Sequence, residues 1–374
     1  MSDKKREISL FDETLREGLQ TPGLIFSVDE NIEIAKILGE SKVGFIQAGY
    51  PSAHKSEFKA VEKIVNLKNK ENFDSIISAH GRCYKPDIRK IARLGVDQID
   101  LHITLNDIFK DNKEIKKEIK FAREKEFKKI KLSILETSKH SSSKLIRAIK
   151  EFEDMLDIVT LPDTSGKEYP LSFSEKIAKV RKNVSKNVKI GVHCHNDRGL
   201  GLANSITAIQ KGADLVETTI GGIGERNGIA DTLCCYLILD SLGFKTNINL
   251  RKLLEGYEKL NRLTEKRIGL SILNKRKPIT GDWLATHTAG THTNKKYSGR
   301  MKKLDEKLNR SDDVSLGIYS GKRAVKEAFK NLGIPVSTKE VKMVRDTIKD
   351  ISTRELRDVE EEELQSLLEK IRKS

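Results

Sequence analysis

The chain has 374 residues, 37% hydrophobic and 33% charged, with 5% aromatics and a mean hydropathy of −0.49. These values exclude a miniprotein and describe a large domain with a smaller appendage, or two ordinary domains, with a sizeable core and a highly charged exterior. Seventy Lys and Arg against 55 Asp and Glu leave a formal net charge of +15, which attracts phosphates and other anions without deciding a function.

The first residues carry no apolar stretch long enough for a signal peptide, and no run approaches the roughly 20 apolar residues of a membrane span. The most apolar segment, 233–242, contains Asp240 and predicts a buried helix. Cys83, Cys194, Cys234 and Cys235 show neither CxxC spacing nor a disulfide framework, so a reducing cytoplasm is expected.

Eight short β-branched or apolar runs predict strands at 8–15, 43–50, 75–82, 98–105, 129–135, 158–163, 189–195 and 215–221. Each is followed by a segment with helical periodicity, the connection parallel strands need. Ser27 and Glu30 form a capping box ahead of Val28, Ile32, Ala35 and Leu38, which share one helical face. Pro86 suits the first turn of a helix over 87–94, and Gly95 suits its end. Eight βα units in about 240 residues fit a closed (β/α)8 TIM barrel, an α/β fold, better than an open doubly wound sheet. After Phe244 the alternation stops. A catalytic barrel is therefore expected over 1–245, and a smaller, mainly helical C-terminal region that contributes to the active site over 246–374.

Chemistry in such a barrel sits at the C-terminal strand ends. The first strand ends in Asp12-Glu13-Thr14-Leu15-Arg16-Glu17-Gly18, the sixth in Leu161-Pro162-Asp163-Thr164-Ser165-Gly166 and the seventh in Val192-His193-Cys194-His195-Asn196-Asp197. His193 and His195, two apart on a strand, point to one side and Cys194 to the other. With Glu17 they would make a two-His, one-carboxylate site; the competing explanation is a hydrogen-bonded histidine pair at the barrel top. Gly18 is expected to let the chain turn and aim Arg16 and Glu17 into the mouth, although the two could form a plain ion pair. Glycines at 221, 222, 224 and 228 could admit a phosphate or thioester to the backbone, or simply make a tight turn.

Asp12-Glu13-Thr14-Leu15-Arg16-Glu17-Gly18-Leu19-Gln20, with His193-Cys194-His195-Asn196-Asp197 and Gly222-Ile223-Gly224-Glu225-Arg226-Asn227-Gly228-Ile229, resembles the homocitrate synthase and 2-isopropylmalate synthase family, its homocitrate synthase branch most. The similarity runs in order from the first strand to about Leu332 and includes His287 and His292 in the segment 286–294 and a later glycine motif over 316–322. The long C-terminal leucine-feedback domain of isopropylmalate synthases is not expected. The resemblance implies metal-dependent condensation of acetyl-CoA with a 2-oxo acid, followed by thioester hydrolysis.

By the same resemblance, Glu17, His193 and His195 hold one divalent cation (Mn, Mg or Zn). Arg16 stabilises the developing alkoxide, His292, of its own or a partner subunit, joins the acid–base relay, and Glu225 orders the metal-side network. Gln20, Tyr84, Lys131, Ser133 and Thr164 bind substrate, and a homodimer is implied. Lys295, Lys296, Arg300, Lys302 and Lys303 could receive the CoA phosphates or form a solvated face. Tyr84 replaces a family His, Lys131 replaces an Arg that forks around a carboxylate, Leu135 replaces a Glu, and Lys303 replaces a Tyr, with Tyr297 nearby. The metal centre is untouched by these departures, which fall on the pocket for the far end of the oxo acid. The expected acceptor is 2-oxoglutarate, with an apolar or small oxo acid second. A thioester lyase on the same barrel would carry a cysteine in the loop 221–228, which has none, and a nucleic-acid-binding protein would interleave its basic residues with aromatics.

Overall fold

The computed structural model describes residues 6–284, 286–287, 302–309 and 313–373. Eight parallel strands, β1 (Ser9–Asp12), β2 (Phe45–Gln47), β3 (Ile76–Arg82), β4 (Gln98–Thr104), β5 (Lys129–Leu135), β6 (Ile158–Asp163), β7 (Lys189–Cys194) and β8 (Leu215–Thr218), pair in sequence order. Pairing of β1 with β8, from Ser9 opposite Leu215 to Asp12 opposite Thr218, closes the barrel and removes the open-sheet alternative. Each strand lies inside its predicted run.

The outer ring is α1 (Val28–Glu40), α2 (Lys55–Glu71), α3 (Lys85–Ala92), α4 (Leu105–Lys110), α5 (Asn112–Arg123), α6 (Ser142–Lys150), α7 (Pro170–Asn183), α8 (Gly201–Gln210) and α9 (Thr232–Ser241). The capping box of α1 is formed, with Glu30 N–H donating to Ser27 Oγ at 3.2 Å and Ser27 N–H to Glu30 Oε2 at 2.7 Å. Pro86 lies in the first turn of α3, which starts two residues before the predicted helix because the chain leaving β3 is already helical at Lys85. The crossover between β4 and β5 holds two helices, since Asp111 leaves helical geometry and caps α5 through Glu114 N–H.

The barrel interior has two floors. Near the N-terminal strand ends, Phe11, Phe45, Ile158 and Leu215 form an apolar plug, the two rings stacked 5.2 Å apart. Above it, Gln47, Ser78, Asp100, Lys131, Thr160 and Glu217 are all buried. Three of the four even strands are tied down by a repeated device. Asp97, Asp157 and Asp214 immediately precede β4, β6 and β8. Each donates its backbone N–H to an isoleucine carbonyl on the preceding strand and accepts the same isoleucine's N–H on its carboxylate. The carboxylate distances are 2.9 Å from Ile77, 2.8 Å from Ile130 and 2.9 Å from Ile190. Lys68 and Lys128, Arg123, and Arg181 neutralise the three carboxylates.

The chain divides into two compact units, 1–273 and 274–374. Helix α10 (Leu250–Ile268), assigned from sequence to the C-terminal region, packs with the barrel. Gly256 lets α10 approach Ile37 of α1, Lys259 pairs with Glu33 at 2.6 Å, and the buried Tyr257 hydroxyl donates to Asp231 at 2.6 Å. The second unit contains α11 (Lys302–Lys307), α12 (Lys322–Asn331), α13 (Thr338–Glu355) and α14 (Glu361–Lys373), with a short parallel pair β9 (Thr286–His287) and β10 (Asp313–Val314). Its own core is built around Leu316, Val325, Phe329, Val344, Ile348 and Leu364. Among the described residues, no helix is long and apolar enough to cross a membrane.

Replacing Asp157 with Ala leaves the Ile130 N–H and the Arg123 guanidinium without their partner, and is expected to cost about 1–3 kcal/mol. Urea unfolding followed by circular dichroism measures it. Asp97 lies below the ordinary carboxylate range because Lys128, Lys68 and the Ile77 N–H outweigh its burial. A depressed carboxylate lends stability above its unfolded pKa and loses it as pH falls through the folded one. Asp97→Asn should therefore flatten the acid limb of the stability profile below about pH 4.

Candidate active site

At the C-terminal ends of β1 and β7, Glu17, His193 and His195 come together, all buried, with one ligand atom from each within 4.8 Å of the others. The two imidazoles sit 5.0 Å apart at 62°, with Nε2 facing Nε2 at 3.3 Å. Cys194 points outward, as strand alternation requires, and burial pushes its thiol up. The chain turns at Gly18, as expected from sequence, without a left-handed backbone there. Gly18 opens a short 3-10 turn, and a Cβ there would lie 3.1 Å from Ile223, so its small size lets the β8 loop close over Glu17.

That loop explains the glycines. Glu225 N–H donates to Glu17 Oε1 at 3.0 Å, and Gly224 faces the same oxygen, where a Cβ would stand 2.9 Å away. Gly228, at φ +71°, passes so close to Gly222 that a Cβ would lie 1.8 Å from its carbonyl oxygen. The Glu225 side chain itself is exposed, so its backbone and not its carboxylate reaches the cluster.

Arg16 spans the cluster, its guanidinium bonded to Glu17 at 2.6 Å, to Glu13 and to Gln47. Beneath His193 lies a second group of buried donors. His193 Nδ1 is 3.0 Å from Glu217 and 3.2 Å from Glu13, and Lys131 Nζ is 2.6 Å from Glu217, 3.5 Å from Glu13 and 3.8 Å from Asp100. Glu13, His193 and Glu217 could also hold a cation by proximity, but the Lys131 ammonium already lies against both carboxylates.

Burial alone would lower the His193 imidazole, but Glu13 and then Glu217 outweigh it and raise it to about 10. His195 falls to about 4 because it is desolvated and faces His193. Burial works against ionised Glu13 and Glu17, yet Arg16 foremost, then Lys131 for Glu13 and His193 for both, pull the two carboxyls below their ordinary range. The donor set suits a divalent cation. His195 Nδ1 is buried without a hydrogen-bond partner, and two ring nitrogens and a carboxylate converge from one side.

The other residues singled out from sequence are dispersed. Thr164 ends β6 with its hydroxyl accepting from Glu136 N–H at 3.0 Å, while its carbonyl accepts from Arg226. Ser133 is buried on β5 opposite His102 and Thr160. Gln20 is exposed, and Tyr84 is 50% exposed under the Arg82 guanidinium. Lys131 is 1% exposed and lies in the charged floor. His292, Lys295, Lys296, Tyr297 and Arg300 lie outside the described residues; Lys302 and Lys303 begin α11.

Glu13, Gln47, Asp100, Thr160 and Glu217 were not anticipated. Their signal was parity, since Lys131 and Ser133 on β5 and Glu217 on β8 share the inward phase that His193 sets on β7. His80 and His102 were also missed; they stack 4.5 Å apart and 3° from parallel at the ends of β3 and β4. Burial first, and Arg16 next, push both below the ordinary imidazole range.

The HMGL-like family matches residues 7–258. Homocitrate synthase of Sulfurisphaera tokodaii is 32% identical over 361 residues, 92% of this chain and 76% of that protein. That of Saccharolobus solfataricus is 32% identical over 369 residues, 95% and 78% of the two chains. The chain belongs to the homocitrate synthase and 2-isopropylmalate synthase group of the HMGL-like family. The fold of this family member is also that of the hydroxymethylglutaryl-CoA lyase from Pseudomonas aeruginosa, with a TM-score of 0.59 at 16% identity over 71% of this chain and 96% of that one. The HMG-CoA lyase from Brucella melitensis gives the same TM-score and identity over 69% and 99%.

Gly228→Ala must open the loop that delivers the Glu225 N–H to Glu17. Affinity for Mn2+ by isothermal titration is expected to fall at least about tenfold while far-UV circular dichroism stays unchanged.

Proposed function

We propose that the protein condenses acetyl-CoA with a 2-oxo acid in a Claisen-type reaction and hydrolyses the resulting thioester, with 2-oxoglutarate the first acceptor. The convergence of Glu17, His193 and His195 beside the Arg16 guanidinium, in a chain whose relatives are homocitrate synthases, carries this conclusion. A divalent cation held by those three side chains would supply Lewis acidity and a template for the keto oxygen and adjacent carboxylate.

The protein's own groups do the rest. A base removes a proton from the acetyl methyl group, the new carbanion attacks the keto carbon, and the keto oxygen becomes an alkoxide. Arg16 stands ready for that charge, held by Glu13, Glu17 and Gln47, so it needs no reorganisation as the bond forms. His292 is assigned to the acid–base relay and Glu225 to ordering the Glu17 side of the site. The Thr164 hydroxyl, which accepts from Glu136, keeps its own hydrogen to donate to the oxo-acid carboxylate. Ser133 lines the wall, and Gln20 and Tyr84 lie nearer the solvent. Water then cleaves the thioester, releasing CoA and making the reaction irreversible. A homodimer in a reducing cytoplasm completes the proposal; all four cysteines are free thiols.

One observation favours the second acceptor class, an apolar or small 2-oxo acid as in isopropylmalate or citramalate synthesis. Lys131, the cation expected to meet a distal carboxylate, is already surrounded by three.

A thiol-release assay with acetyl-CoA, Mn2+ and a panel of 2-oxo acids tests the reaction and ranks the acceptors. CoA release is expected with 2-oxoglutarate and should stop on chelation; no release with any acceptor would sink the proposal. Arg16→Lys should lower kcat about 10²–10³-fold, because a point charge cannot reproduce the forked guanidinium.

A further inference from the structure

We propose that Lys131 serves the cation site and not the oxo acid: it fixes the Glu217 carboxylate, and Glu217 fixes His193. Lys131 and Glu217 are then positioning residues. The inference rests on the proposal that Glu17, His193 and His195 bind a divalent cation.

Both oxygens of Glu217 are engaged. Glu217 Oε1 accepts from Lys131 Nζ and from Thr160 Oγ1, both at 2.6 Å, and its other oxygen lies 3.0 Å from His193 Nδ1. A histidine that ligates a cation through one ring nitrogen is held by a hydrogen bond from the other. Here Nδ1 is committed to Glu217 and Glu13, which leaves Nε2 turned toward His195 and the Glu17 side of the site.

Lys131 has no freedom to do otherwise. Its ammonium lies 4.0 Å from the centre of the Phe11 ring in the apolar plug, with the buried Glu217, Glu13 and Asp100 around it. Turning toward an incoming carboxylate would leave the buried Glu217 without its ammonium partner. Asp100 lies farthest from the ammonium, at 3.8 Å, and takes its hydrogen bonds from Gln47, Ser78 and Gln98. The fold also makes room for the arrangement. At Gly191 of β7, a Cβ would lie 2.5 Å from Thr160 Oγ1 and 2.8 Å from Leu215 Cδ1, so the missing side chain leaves the Thr160 hydroxyl its place against Glu217.

Isothermal titration with Mn2+ on the full chain separates the two roles of Lys131, with oxo-acid KM measured at saturating Mn2+. Wild type and His193→Ala test the cation site itself: equal binding by both, or none by wild type, would reject that site and with it the basis of this inference. Given binding that His193→Ala abolishes, Lys131→Met and Thr160→Val should each weaken Mn2+ affinity about 10–100-fold while leaving the KM ratio of 2-oxoglutarate to 2-oxoisovalerate unchanged. Lys131→Met with Glu217→Gln should bind no more weakly than Lys131→Met alone, since the two act in series. Thr160→Val removes one hydrogen bond and no charge, so it keeps the Glu217–His193 link testable if Lys131→Met does not fold. Mn2+ affinity within about twofold of wild type in folded Thr160→Val, or a selective rise in the KM for 2-oxoglutarate in Lys131→Met with Mn2+ affinity intact, would overturn the proposal.

Discussion

Ionised groups cannot be buried singly in a barrel, and the upper floor of this one buries them as a set. Glu13, Glu17, Asp100 and Glu217 face two permanent cations, Lys131 and Arg16, and the imidazole of His193. Each would be costly without its partners. Four carboxylates against two fixed cations leave the interior leaning acidic, which raises the His193 imidazole far above its ordinary range when no cation is bound. An acidic lean at the level of two converging imidazoles is the electrostatic setting in which a divalent cation is stabilised.

The architecture was largely written in local pattern. Alternation, the Ser27–Glu30 capping box and Pro86 placed all eight strands and the helices around them, because each is set by neighbours in sequence. The His193–His195 spacing marked the site for the same reason. Elements whose role depends on what they meet in space were not legible. Helix α10 has an ordinary amphipathic pattern, and its contacts in space, Gly256 with Ile37, Lys259 with Glu33 and Tyr257 with Asp231, show that it belongs with the barrel. Gly18 reads as a turn residue, and its packing against Ile223 shows only in space. Lys131 reads as a pocket cation until Glu217 and Glu13, which are 86 and 118 positions away, are found beside it.

The net charge of +15 has little to do with this chemistry. The cations that matter, Arg16 and Lys131, are sequestered and matched by carboxylates, whereas many of the other lysines sit on outer helix faces in pairs such as Lys117 with Glu114 and Lys259 with Glu33. Such exposed pairs contribute little to stability. Their collective field still favours the approach of anionic molecules such as oxo acids and CoA.

The aspartate clamps ahead of β4, β6 and β8 stand at the opposite end of the strands from Glu17, His193 and His195. Rigidity is thereby invested where no substrate comes, and the mouth is relieved of holding the barrel shut. Departures such as Tyr84, exposed at the rim, can accumulate there without loosening the closure of the sheet, so the same scaffold can drift between acceptors of different length and charge. Changes in the clamps buy no such freedom, since each opens a seam between two strands.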